Sequence, residues 1–218
     1  MTAWPRRWLG GTPRDEVAAV GSGRWVVVDT ETTGLDPERS RLIAIGGVAV
    51  DDDGIMLDDS FEIVLRSDVP GEAANIVIHG IGQEAQAAGM PARSALEQFR
   101  AWAADAPRVA FHADFDRRVL RNAFLRSGVP DASAPWLDLA PLAAALAPGA
   151  QRRGAKSLDD WLETFGIECS IRHNAGADAL ATAELLLRLR VVAASQGRIG
   201  FSALTRTARQ GKWLGTAR

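Results

Sequence analysis

Two carboxylates, Asp29 and Glu31, stand two residues apart at the end of an apolar run, in the stretch Trp25-Val-Val-Val-Asp-Thr-Glu-Thr-Thr-Gly-Leu35. Trp and Val favour extended backbone, so Trp25 to Val28 reads as a buried strand. Residues i and i+2 of a strand face the same side, and both acids therefore project together. Two like charges at the edge of a core repel, and burial penalises each. A hard divalent cation such as Mg²⁺ or Mn²⁺ removes that cost through carboxylate oxygens. The strand is thus expected to carry half of a metal site. Taken alone, the pair fits a strand end with two solvated acids better than a metal site.

Three further features join the pair. Phe111-His-Ala-Asp-Phe-Asp116 marks a change from strand to helix, and an acid there lies at the carboxyl edge of a sheet. His173 precedes Asp178 by five residues, and Asp178 falls in the first turn of a long Ala/Leu-rich helix. His79-Gly80-Ile81 sits in a long mixed segment, 67–93, of the length that compact domains keep for function. Each has a plain structural reading. Asp178 suits a helix dipole, His173 a loop, His79 the end of a turn, and His112 a structural place.

The elements that must position these residues follow from the pattern. Arg41 to Val50 and Ile55 to Leu65 read as strands that form an antiparallel meander with the first. Gly46-Gly47 within the second predicts a bulge or a close backbone approach. Ser94 to Ala104 reads as a helix with a Ser94/Glu97 capping box. Short strands at 108–111 and 136–139 alternate with helices at 115–127, 139–146, 158–165 and 175–194, with Ser157 as cap of the third and Pro148-Gly149 ending the second. The expectation is an α/β domain with a mixed sheet and helices on both faces. A further short helix is predicted at 14–20. The nearby Trp4 and Trp8 suit packing against the domain or a partner contact.

In their order, VVVDTETTGLDP, IHGI, FHADFD and RHNAGADALATAELLL resemble the motifs of the 3′→5′ exonucleases with four acidic residues, of ribonuclease H-like fold. The similarity is closest to the proofreading epsilon subunit of bacterial DNA polymerase III and its relatives, over roughly 25–190, with Lys156 to Ile167 resembling the helix before the last motif. The resemblance implies a central mixed five-stranded sheet flanked by helices and a set of metal ligands in Asp29, Glu31, Asp116 and Asp178. It implies His173 as general base. The sister subgroup uses a tyrosine, and this chain has none. It implies that Thr32, Thr33, Gly34 and Leu35, together with His79, Gly80, Ile81 and Phe115, meet the terminal nucleotide. Phe111 and His112 stand where the family commonly has His and Asn. Asp114 rivals Asp116 for the ligand, and the Phe115-Asp116 pair favours Asp116 by register.

The residue types suit phosphodiester hydrolysis. Two metal ions about 3.5–4 Å apart can bind the attacking and the leaving oxygens. Four carboxylates are a reasonable set for two Mg²⁺ or Mn²⁺ ions, with Asp29 shared, and an imidazole can remove a proton from water near neutrality. The expected activity is 3′→5′ trimming of single-stranded ends to nucleoside 5′-monophosphates, on DNA ahead of RNA, with a polymerase or repair partner. RNA ends or short oligoribonucleotides are the first alternative. The second is a catalytically silent module that binds nucleic acid or a polymerase.

Composition sets outer bounds. The 218 residues are 47% hydrophobic and 24% charged, which suits one domain with a substantial core. A net charge of −2 gives no global attraction to nucleic acid, so a basic face would have to be local. The single cysteine, Cys169, excludes an intrachain disulfide and suits the cytoplasm. No stretch approaches the ~20 apolar residues of a membrane helix, and the first residues lack the apolar core of a secretion signal. The expected organisation is an N-terminal extension over 1–24, an exonuclease domain over 25–195 and a basic tail over 196–218. That tail reads either as a backbone- or partner-binding arm or as a frayed solvated end.

Overall fold

The structure is a computed structural model that describes residues 23–66, 81–169 and 171–215. Among them are five strands: β1 (Trp25–Thr32), β2 (Leu42–Val50), β3 (Ile55–Val64), β4 (Arg108–Ala110) and β5 (Trp136–Asp138). The helices are α1 (Gln83–Ala88), α2 (Ala92–Ala103), α3 (Asp114–Ser127), α4 (Leu139–Leu146), α5 (Pro148–Arg152), α6 (Leu158–Phe165), α7 (Ala175–Ser195) and α8 (Phe201–Gly215). The sheet runs in the order β3-β2-β1-β4-β5. β1, β2 and β3 form the expected antiparallel meander, and β4 and β5 add in parallel. This is the mixed five-stranded sheet anticipated from the sequence.

The alternation of β1 divides the core. Trp25 and Val27 face a cluster built with α4, α6, α7 and α8, whereas Val26 and Val28 face a second cluster under α2 and α3. Both faces of the strand are therefore buried, which explains its unbroken apolar run. β1 continues to Thr32, which still pairs with Leu42 across a bulge. The turn begins at Thr33.

Several local expectations are met. Ser157 caps α6 in a full capping box with Asp160, and Gly166 closes that helix in the left-handed region at φ 65°. Gly46 and Gly47 mark close approach: a Cβ on Gly46 would overlap the Ala175 carbonyl and the Gly176 nitrogen, and one on Gly47 would meet the Trp102 ring.

Others are corrected. α2 starts at Ala92 with Pro91 as its N-cap, not at Ser94. The fixed φ of proline launches the helix, and Glu97 instead accepts a hydrogen bond from Arg93 one turn away. Pro148-Gly149 opens the short α5 and does not end the helical path. The basic tail contains α8, whose Phe201, Leu204 and Ala208 are buried in the core. Phe201 meets Trp25 edge-on at 5.3 Å. The reading of a frayed end gives way to apolar residues spaced three to four apart, which line the buried stripe of a helix. The predicted helix at 14–20 and Trp4 and Trp8 lie outside the described residues.

Candidate active site

Asp29 and Glu31 stand on β1 on the face that carries Trp25 and Val27, beneath the start of α7. Asp29 pairs directly with Gly46 on β2. Because Gly46 has no side chain, the first turn of α7 rests against the sheet at that rung. Asn174 caps the turn by accepting a hydrogen bond from the Ala177 N–H at 2.9 Å, and it donates to Glu62 at 3.2 Å. Asp178, in that first turn, is buried. Carboxylate oxygens of Asp29, Glu31 and Asp178 lie within 4.8 Å of one another.

Asp116 arrives from the opposite layer. It lies in the first turn of α3, is buried, and accepts a hydrogen bond from the Thr30 hydroxyl at 2.7 Å. Thr30 faces the α3 side of β1 while Asp29 and Glu31 face the α7 side, so the four acids close over the strand end from both faces. Asp114, the rival ligand, points outward, is exposed, and pairs with Arg117 at 2.6 Å.

The electrostatics follow from this crowding. Burial, and then the charges of Asp116, Asp178 and Glu31, hold the Asp29 carboxyl well above its ordinary range. Burial and the Asp178 charge push Glu31 up to about 7. Burial raises Asp116 to about 7 against the opposing pull of the Thr30 hydrogen bond. The crowding favours the protonated over the ionised carboxyls, and a bound cation would offset the same repulsion. The donor set of carboxylate oxygens is that of a hard divalent ion, and the residues present fit one.

Arg172 supplies part of the compensating charge. Its guanidinium contacts both Asp178 and Asp159, and it pulls Asp29 and Glu31 downward against their neighbours. The sequence reading passed over it, although its place directly before His173 was visible. Thr30 was likewise passed over, hidden between two acids on the other face of the strand.

His173 sits in the left-handed region at φ 61°, and its backbone N–H donates to Asp178 at 3.0 Å. Its imidazole is exposed beside the cluster. His112 is also left-handed at φ 59°, with its N–H on Asp138 at 3.1 Å. Asn tolerates that backbone better than most residues, which gives a physical reason for Asn at this place in the resembled motif. On the turn, Thr32 donates to the Gly34 carbonyl at 2.6 Å, and the Thr33 hydroxyl accepts from the Arg41 N–H at 2.9 Å. Leu35 projects with 90% exposure. Phe115 is half-buried and lines a cleft of about 640 Å³ with His112, Asp138 and Lys156. The Ile81 carbonyl accepts from Gln86 at 2.9 Å, and His79 and Gly80 lie outside the described residues.

A mixed sheet with acids converging at the end of its central strand defines a nuclease-like α/β class. The sequence profile of the exonuclease family matches residues 26–186, and the chain belongs to that family. It is 32% identical over 211 residues to the DNA polymerase III subunit epsilon-like protein of Rhodobacter capsulatus, covering 94% of this chain and 28% of that one. It is 31% identical over 168 residues to the PolC-type DNA polymerase III of Thermotoga maritima, covering 77% of this chain and 12% of that one. The chain thus spans less than a third of the length of these relatives. Among solved structures, exonuclease X in complex with 5′ overhanging duplex DNA aligns over 84% of this chain and 99% of its own, with TM-score 0.66 and 23% identity. E. coli exonuclease I in complex with a dT13 oligonucleotide aligns over 80% and 42%, with TM-score 0.68 and 18% identity. These two likenesses establish the fold. Among the described residues no helix is long and apolar enough to cross a membrane.

Proposed function

We propose that the chain is a metal-dependent 3′→5′ exonuclease of the four-carboxylate, histidine type, which trims single-stranded DNA ends to nucleoside 5′-monophosphates. The observation that carries this reading is the convergence of Asp29, Glu31 and Asp178 within 4.8 Å, with Asp116 close enough to raise Asp29. A structural role gives no reason to concentrate like charge at the cost of three displaced pKa values. The DNA-bound neighbours and the polymerase relatives favour DNA over RNA, and a polymerase or repair complex is the partner of this reading.

Asp29, Glu31, Asp178 and Asp116 would hold the divalent cations, Mg²⁺ or Mn²⁺, of a two-metal site. When bound, such ions supply charge neutralisation for the phosphorane-like transition state. The remaining work belongs to the chain. The His173 imidazole takes the proton of the attacking water as general base. The left-handed backbone at His173, tied to Asp178 through its N–H, fixes where that imidazole starts. The Thr32–Leu35 turn offers backbone groups to the terminal sugar, and Phe115 meets the same nucleotide. His79, Gly80 and Ile81 complete that grip in this reading. The lone free cysteine, Cys169, fits a cytoplasmic setting.

The test is digestion of 5′-labelled single-stranded DNA and RNA of matched sequence with Mg²⁺ or Mn²⁺, beside Asp29→Ala and His173→Ala. A ladder shortening from the 3′ end is expected. It should vanish in Asp29→Ala and fall by roughly 10²–10⁴-fold in His173→Ala. Absence of product from folded protein on either strand with either metal overturns the reading.

A further inference from the structure

A cleft of about 510 Å³ lies between the start of β2, the end of β3 and α3, outside the carboxylate cluster. Its floor is apolar: Leu42, Leu65, Val119 and Ala123. Its rim carries four exposed arginines, Arg39, Arg41, Arg66 and Arg126, and no acid lines it among the described residues. The chain as a whole is acidic, with a net charge of −2, so this concentration of one sign is local.

Of the two acids on the preceding turn, Glu38 is engaged elsewhere and Asp36 faces Arg39. Glu38 takes two hydrogen bonds from Arg118 and a third from Asn122, and its charge is turned toward α3. Asp36 reaches Arg39 only at 3.6 Å, with both groups largely exposed. Among the described residues no carboxylate lies within 4.0 Å of Arg41, Arg66 or Arg126. The backbone beneath them is fixed. Arg126 donates to the carbonyls of Glu38 and Ser40. Arg66 N–H bonds the Met90 carbonyl at 2.7 Å, and Arg41 and Thr33 exchange two hydrogen bonds.

The cleft lies at the same end of the sheet as the carboxylates, on its α3 side, and meets the Thr32–Leu35 turn through the Thr33–Arg41 pairing. Glu31 pairs with Ala44 and Thr32 with Leu42. Arg41 is thus two rungs past Glu31, roughly 7 Å at the usual rise along a strand. Cations around an apolar floor, at the sheet end that carries the acidic cluster, match the backbone and bases of one nucleic-acid strand. We infer that this arginine-rimmed cleft is a second binding site, for the phosphates of the single strand internal to the end being cleaved. This rests on the exonuclease reading for its ligand, but its test does not depend on turnover.

The test measures binding of 5′-fluorescein-labelled single-stranded dT20 by anisotropy in EDTA, where no cleavage occurs, across a salt series. The charge-removing variant is R39Q/R41Q/R66Q, and R39K/R41K/R66K is its charge-keeping control. Each lost phosphate contact lowers the slope of log affinity against log salt by about 0.7 for a single strand. The Gln variant is expected to flatten that slope by about 2 and the Lys variant to preserve it. An unchanged slope in the Gln variant overturns the inference. So does an equal loss in both variants. Wild-type hydrolysis of a thymidine 5′-monophosphate nitrophenyl ester is scored separately. Its failure would count against the exonuclease reading, whereas the salt slope speaks only to the cleft.

Discussion

Gly46 is the cross-strand partner of Asp29, and the same missing side chain lets Ala175 rest on the sheet. One residue thereby sets the height of α7 above β1 and, through it, the approach of Asp178 to Asp29 and Glu31. The site is built by strand pairing on one side and by helix seating on the other, and both meet at Gly46.

Gly46→Ala should therefore act on metal binding as well as on stability. The added methyl overlaps backbone, not a flexible side chain, so α7 must lift. Overpacking of this kind costs about 1–3 kcal/mol. Differential scanning fluorimetry should show a lower melting temperature in EDTA, and a smaller rise on adding Mn²⁺ than the wild type shows. A full Mn²⁺ response would mean that helix seating does not set the carboxylate spacing.

Among the hydrogen bonds that work against burial at Asp116, that of the Thr30 hydroxyl is the largest. Thr30→Val keeps the shape and removes the donor. Asp116 then titrates higher, so the acidic limb of the pH–rate profile should move to higher pH. Loss of the buried bond should also cost about 1–3 kcal/mol. Thr30→Ser restores the donor and should bring the limb back. Identical limbs in Val and wild type would remove Asp116 from the rate-limiting protonation.

Much of this was legible in the chain because the informative patterns are local. The period-2 spacing of Asp29 and Glu31, the flagged Gly46-Gly47 pair and the Ser157 cap each declare themselves within a few residues. What stayed hidden depends on distant layers. Thr30 gains its role only when α3 arrives over the far face of β1, and Arg172 only when α6 brings Asp159 to it. α8 was misread for another reason. Its arginines dominate the composition of the tail, while the burial of Phe201, Leu204 and Ala208 depends on a groove formed by Trp25 and α4.

Phe201→Ala should show how far α8 belongs to the core. The ring is 7% exposed and edge-on to Trp25. Truncation of a buried Phe costs about 3–5 kcal/mol, a large share of the stability of a domain this size. Urea unfolding should report that loss. Arg206→Gln, on the exposed side of the same helix, should fall within about 0.5 kcal/mol of wild type. Near-equal midpoints for Phe201→Ala and wild type would return α8 to the status of an accessory arm.

The raised carboxyl groups predict opposite pH responses with and without metal. For Glu31 and Asp116, each near 7, the folded state holds protons that the unfolded chain has released above about pH 4. Proton uptake by the native state means that their contribution to stability is fully present below the unfolded pKa. It is lost as pH rises through about 7. Asp29, shifted in the same direction, adds to that loss. In EDTA the melting temperature should therefore fall between pH 5.5 and 8. A divalent cation binds only the deprotonated carboxylates, so its stabilisation should grow over the same interval. The readout is the difference between melting temperatures in saturating Mn²⁺ and in EDTA, taken at pH 5.5 and 8.0. It should be small at the lower pH and large at the higher. Glu31→Gln removes one titrating group while keeping the shape, and should flatten the EDTA curve and shrink the Mn²⁺ gain together. A gain independent of pH would show that the ion is held away from these carboxylates.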